Sequence, residues 1–261
     1  MTYPASRIHN VLALAALVFA TVATGRAQAE DAAPDAAAPR PINAIIELFT
    51  SQGCSSCPPA DELLKTYATT NGVLALSLPV DYWDYIGWKD TLASPKNTER
   101  QRAYAKAFGR GPVYTPQAVL NGVTDVVGSD KIAIDRAILK SAKLLEDRRV
   151  PVAFQRQSSN LVIETGASPA GSNLEQATIW LVVMKKSAEV AIKRGENSGK
   201  TISYTNVVRE MTPVGVWSGK ASSFQLTMAA VMDPDTEDSA VLLQEGASGT
   251  GAIVGAAWLN R

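Results

Sequence analysis

Two kinds of hydrophobic pattern divide the sequence. Up to about residue 148, short apolar runs alternate with stretches whose apolar positions recur at helical spacing; beyond residue 150, short alternating segments follow one another without a long helix. Asn43–Thr50 reads as a strand, and Pro58–Thr69 as a helix with Leu63, Leu64, Tyr67 and Ala68 at helical spacing. Val73–Val80, entered through Asn71-Gly72, is strand-like again. These three segments form a βαβ unit, so their two strands are expected to run parallel.

Pro95–Phe108 is predicted helical and closed by Gly109. A loop through Pro112 and Pro116 leads to a strand at Gln117–Asn121, and Asn121-Gly122 is the turn of a hairpin into Thr124–Val127. Ser129 or Asp130 caps a last helix reaching about Arg148. Two parallel strands, a hairpin and a helix in this order predict an α/β thioredoxin-like domain over residues 42–150. The segments at 152–157, 161–165, 177–184, 190–194, 201–209, 223–228, 241–244 and 253–258 predict a β-rich second domain over residues 151–261, an antiparallel sheet or a sandwich.

The N-terminus reads differently. Arg7 precedes an apolar run from Val11 to Thr24, and Ala27-Gln28-Ala29 has the small-x-small form of a cleavage site, so residues 1–29 are expected to be a signal peptide. The run falls short of the roughly 20 residues that span a bilayer, which disfavours an uncleaved anchor. Residues 30–41, rich in Ala and Pro, read as a flexible linker. The mature chain is then expected in the periplasm or secreted, without membrane insertion, in a compartment that permits disulfides.

Charge and histidine content narrow the chemistry. Lys and Arg number 25 and Asp and Glu 25, and the signal segment carries two of the arginines and no acid. A near-neutral surface lacks the basic footprint that nucleic acid requires. The single histidine, His9, lies within the segment expected to be removed. Hydrolase mechanisms with a His base and His-ligated zinc or copper thereby lose a required group.

What remains is Cys54-Ser55-Ser56-Cys57, where the first strand hands over to the first helix. Two intervening residues allow the sulfurs to bond, and this spacing in a βαβ setting is a redox signal. Cys54 is the expected attacking thiol and Cys57 the thiol that resolves the mixed disulfide. Pro58 and Pro59 push Cys57 toward an extended or cap conformation, and move the helix start to Pro58. The competing reading is a structural bridge, although closing so short a loop removes little entropy from the unfolded chain.

Tyr114-Thr115-Pro116, just before the next strand, is the second candidate element: a cis proline there presents backbone to the disulfide and to a substrate peptide. Thr115 and Pro116 therefore join Cys54 and Cys57 as candidate site residues. The loop from Asp81 to Asp90 carries Tyr82, Trp83, Tyr85 and Trp88, which read as a hydrophobic plug against the core or as a recognition wall beside the cysteines. Its three aspartates lack calcium-loop spacing. Asp61 and Glu62 read as first-turn acids favoured by the helix dipole.

The run from Glu47 to Asp61, ELFTSQGCSSCPPAD, resembles the signature of the domain of unknown function 1223 family, secreted proteins found mainly in proteobacteria. VDYWDYIGWKD at 80–90, RQRAYA at 100–105, VYTPQAVLNG at 113–122, RGENSGKTISYTNVVREM at 194–211 and GAIVGAAW at 251–258 are similar too. The resemblance covers nearly all of the mature chain. It implies a thioredoxin-like fold in the first part, with Cys54, Cys57 and Pro116 at the positions of a redox pair and its facing cis proline. Many relatives carry histidine where Pro79 stands, so no role for that side chain carries over.

The function expected from these features is a periplasmic thiol–disulfide oxidoreductase acting on thiols or disulfides of exported proteins, with no cofactor and no metal. The alternatives are a binding protein with a structural disulfide, and a protein that handles Cu(I) through its two thiolates.

Overall fold

A computed structural model describes residues 41–157, 159–227, 237–246 and 249–259. The predicted signal peptide, all but the last residue of the 30–41 linker, and Met228 at the end of one predicted strand lie outside the described residues.

The first half follows the hydrophobic pattern closely. Strand β1 (Ala44–Thr50) is buried at all seven positions, as suits a central strand covered on both faces. Helix α1 (Pro58–Ala68) starts with proline at its first position, and β2 (Val73–Pro79) pairs parallel to β1. Helix α2 (Pro95–Ala107) precedes the antiparallel hairpin of β3 (Gln117–Leu120) and β4 (Thr124–Val127). Asn121 and Gly122 both take positive φ in its turn, the conformation that this dipeptide favours. In α3 (Lys131–Leu144) the Asp130 side chain accepts the Ala133 N–H, making Asp130 and not Ser129 the cap.

The second half is built from β5 (Val152–Gln157), β6 (Asn160–Thr165), β7 (Ala177–Ala191), β8 (Thr201–Trp217), β9 (Ser222–Thr227), β10 (Asp238–Glu245) and β11 (Ile253–Trp258). Strand β7 runs 15 residues through what the sequence divides into two segments, and β8 runs 17.

The predicted fold class, an α/β thioredoxin-like domain followed by a β-rich domain, is overturned. Among the described residues the chain is mostly β, with eleven strands, three α-helices and two sheets. One mixed eight-stranded sheet in the order β11-β10-β7-β8-β2-β1-β3-β4 takes strands from both sides of residue 150. The join is the parallel pairing of β2 with β8 at Ser77 and Val207. Beside it Asn206 turns to positive φ, and its side-chain amide donates to the Ala75 carbonyl at 2.9 Å. Strands β5, β6 and β9 form a separate three-stranded sheet, whose Phe154, Leu161 and Ile163 pack with Ile179, Leu181 and Leu243 of the large one.

Both faces of the β1–β2 region are covered. Ile46, Leu48 and Ala75 pack under Ala60 and Leu64 of α1 and Ile134 of α3, whereas Phe49 and Leu76 pack with Tyr104 of α2. On the α2 face, Glu47 is fully buried in β1 and receives Arg100 Nε at 2.6 Å and the Tyr104 hydroxyl. Gln244 of β10 completes the network, accepting from Arg100 at 2.9 Å and donating to Tyr104 at 2.7 Å. The RQRAYA segment is thus accounted for by structure: Arg100 and Tyr104, one turn apart, tie the two halves of the sheet together.

Candidate functional site

The segment from Gln52 to Cys57 links the end of β1 to the start of α1. Cys54 and Cys57 form a disulfide with their Cα atoms 5.4 Å apart. Ser55 and Ser56 at the tip are exposed, whereas Cys54 is 1% and Cys57 0% exposed. Helix geometry starts at Pro58, as the two prolines suggest, and Cys57 is its N-cap as expected, although its backbone is not extended. Its φ of −77° and ψ of −36° are helical and not extended, and its carbonyl accepts from the amides of Ala60 and Asp61. Those bonds close the first turn despite the following proline.

Two prolines at the helix start have a chemical consequence. Pro58 and Pro59 carry no N–H, so two of the donors that a helix N-terminus offers an anion are missing. The Ser56 hydroxyl lies 3.4 Å from the Cys54 sulfur.

Three segments surround this turn. The loop at 81–90 packs beneath it: a side chain at Gly53 would lie 3.0 Å from Trp83 Cβ and 3.1 Å from Ile86. Gln52 receives the Trp88 indole N–H at 2.8 Å and donates its own amide to Asp90 at 2.8 Å. Tyr82, Trp83 and Trp88 are half-buried, while Tyr85 is 80% exposed and stacks on Trp83. The loop is therefore a half-buried support with the Tyr85 ring left facing solvent.

The second segment contains Thr115 and Pro116, joined by a cis peptide bond. Trp83 donates its indole N–H to the Thr115 hydroxyl at 2.8 Å, so a single ring bridges the cysteine turn and Thr115. Pro116 is buried, and its carbonyl accepts the Gly128 amide at 2.9 Å. A Cβ at Gly128 would lie 3.2 Å from Pro116 Cβ and 3.4 Å from Ala60 Cβ, so Gly128 sits between Pro116 and the first turn of α1. All four sequence-predicted residues thus belong to one neighbourhood of the fold.

The third segment, residues 192–200 between β7 and β8, includes the end of the strand predicted at 190–194 and is given no site role by the sequence. Asn197 is fully buried and donates through its one amide nitrogen to the carbonyls of Gln52 at 3.0 Å and Cys54 at 2.8 Å. Lys200 Nζ donates to Asn197 Oδ1 at 2.8 Å, holding that amide in place. Glu196 accepts the Ser55 amide at 3.3 Å, and Gly195 lets the turn approach Trp88.

Asp61 also departs from its sequence reading. It is 2% exposed, on the side of α1 that buries Cys57 and Leu64, and neither carboxyl oxygen has a hydrogen-bond partner among the described residues. Burial pushes its pKa well above the usual carboxylate range; interaction with the nearby Thr50 hydroxyl opposes the shift, and the Asp90 carboxyl adds to it. The Tyr204 hydroxyl of β8 is likewise buried without a partner, and burial together with Asp61 and Asp90 raises its pKa. Asp90 itself is raised by burial, against the pull of the amides of Gln52, Leu92 and Ala93.

Comparisons with other proteins bear on the fold and the family. Residues 45–244 match the family model described as protein of unknown function (DUF1223). A crystal structure of a protein from Agrobacterium tumefaciens is 37% identical, with a TM-score of 0.75 over 86% of this chain and 97% of that one. HBP35 of Porphyromonas gingivalis, 11% identical with a TM-score of 0.55 over 85% of this chain and 75% of that one, is a likeness of fold alone. No curated protein matches the chain.

Proposed function

Because the chain belongs to the DUF1223 family, which carries no assigned activity, we propose from local geometry that it is a thiol–disulfide oxidoreductase acting on exported proteins in the periplasm or outside the cell. The observation that carries this reading is a disulfide of three-residue separation at the β1–α1 junction, set beneath an exposed Ser55-Ser56 tip and beside a buried, unpartnered carboxyl. A purely structural bridge of that span adds little stability, and it gains nothing from a buried acid one helical turn away.

In the reducing direction, the Cys54 thiolate attacks a substrate disulfide, forms a mixed disulfide and releases one substrate thiolate. Cys57 then loses its proton and attacks the Cys54 sulfur, which releases the second substrate thiolate and re-forms the Cys54–Cys57 bond. Two electrons pass to the substrate. Cys57 is fully buried, so its proton needs an internal acceptor; Asp61, on the same side of the first helical turn, takes it when ionised, and its raised pKa makes it a stronger base than an ordinary carboxylate. Thr115, half-buried next to the buried Pro116, borders the site and offers backbone to an extended substrate.

Insulin reduction and disulfide transfer to a reduced substrate, compared between wild type and Cys54→Ser, test the reading. Loss of both activities in the variant is expected; equal rates overturn it. One observation favours a second reading, a binding protein with a structural bridge: both sulfurs are almost completely covered. A midpoint potential below roughly −300 mV supports that alternative, and a higher one supports exchange.

A further inference from the structure

A thiolate at Cys54 must be stabilised by donors close to its sulfur, and the local sequence has removed the usual ones. Pro58 and Pro59 bring no N–H to the helix start, and the sequence predicted to remain after cleavage contains no histidine. The Cys57 amide is engaged with the Cys54 carbonyl at 3.2 Å. The Ser55 amide, which directly follows Cys54, is taken by Glu196.

Resting on the oxidoreductase reading, we propose that Glu196 is a positioning residue that restrains Cys54, its carboxylate occupying the Ser55 N–H and adding a negative charge at the amide next to the residue that must ionise. The placement of Glu196 is built and not incidental. Asn197 pins the turn to the carbonyls on either side of Gly53, Lys200 fixes Asn197, and Gly195 lets the chain lie against Trp88. A residue some 140 positions distant in sequence thereby controls the electrostatics of the cysteine turn.

The other charged and titratable groups around the turn are Asp90 on the Gln52 amide, Asp61 on the first turn of α1, Tyr204 beside both, and Lys200 behind Asn197. Asp90 holds the Gln52 amide two residues before Cys54, whereas Glu196 is the carboxylate bonded to the Ser55 amide that directly follows it. Removing its charge frees the Ser55 donor and lowers the cost of a thiolate.

The test uses the full chain in a Cys57→Ser background, in which Cys54 is the single thiol. The rate of iodoacetamide alkylation is measured from pH 5 to 10 for Glu196, Glu196→Gln and Glu196→Asp. Glu196→Gln is expected to alkylate about threefold or more faster at pH 7, with its pH midpoint moved down, while Glu196→Asp stays near the parent. An unchanged or upward-moved midpoint in Glu196→Gln overturns the proposal. No substrate protein is involved, so an inactive wild type in the insulin assay refutes the oxidoreductase reading alone, and an unmoved alkylation profile refutes only the role of Glu196.

Discussion

The Asp61 amide donates to the Cys57 carbonyl at 3.1 Å, which fixes a buried, unpartnered carboxyl one helical turn from a buried sulfur. Such a carboxyl is unfavourable to the fold when charged, since among the described residues no donor fully compensates its loss of water. Retaining an acid at a position that an apolar residue could fill is the kind of local cost that functional sites carry.

Asp61 gives the first prediction, and the sign follows from its raised pKa. In the unfolded chain the carboxyl loses its proton near pH 4, whereas in the folded chain it holds that proton to higher pH. Between those two values the native state binds more protons, so stability falls as pH rises. Asp61→Asn should remove that loss and unfold at higher urea than wild type at pH 7, by on the order of 1–2 kcal/mol. The two proteins should converge toward pH 4. Urea titrations at pH 4, 6 and 8 check this; a parallel pH dependence in both proteins counts against it.

The Glu47–Arg100 pair gives the second. Both side chains are buried, 0% and 8% exposed, and removing one partner leaves an uncompensated charge in the core. Arg100→Met should destabilise by about 3–5 kcal/mol, and Glu47→Gln with Arg100→Met should recover a large part of that. Denaturant unfolding of the single and double variants measures the coupling, and simple additivity would mean that the pair is not a unit.

How much of this was legible depends on distance along the chain. The first-half elements follow from local periodicity and turn chemistry, down to Asn121-Gly122 in the hairpin and Pro58 at the start of α1. The fold class failed where a long-range contact decides it. Nothing in the alternation of residues 201–217 tells a strand of a separate sheet from one that pairs with Ser77 at Val207. Cys54 and Cys57 announce themselves by spacing, whereas Asp61 in sequence is indistinguishable from an exposed first-turn acid. Asn197 and Glu196 lie in a polar turn, RGENSGK, whose only signal was its presence among the segments that resemble the family.

The third prediction concerns Asn197, whose amide holds two carbonyls of the cysteine turn. Asn197→Ala leaves the Gln52 and Cys54 carbonyls without this donor and should cost about 1–3 kcal/mol in stability. It should also release the turn, so reduction of the Cys54–Cys57 bond by dithiothreitol should speed up well below the unfolding transition. A stopped-flow comparison with wild type reads this, and equal rates in a folded variant would show that Asn197 does not hold the disulfide closed.

The fourth prediction tests how tightly the hairpin of β3 and β4 is set against α1. Gly128 follows β4, donates its amide to Pro116 and has no room for a side chain: an added Cβ would lie 2.5 Å from Leu48 Cδ1 as well as against Pro116 and Ala60. Leu48 is fixed in the core of β1, and Ala60 in the first turn of α1, so the strain cannot be relieved by rotating a surface chain. Gly128→Ala should therefore cost about 1–3 kcal/mol and shift Pro116 relative to the cysteine turn. Gly111→Ala, in open space near the end of α2, is the control and should leave stability within about 0.5 kcal/mol. Thermal unfolding separates the two variants. If disulfide exchange also falls in Gly128→Ala but not in Gly111→Ala, the packing of Pro116 and α1 around Gly128 matters to the reaction as well as to the fold.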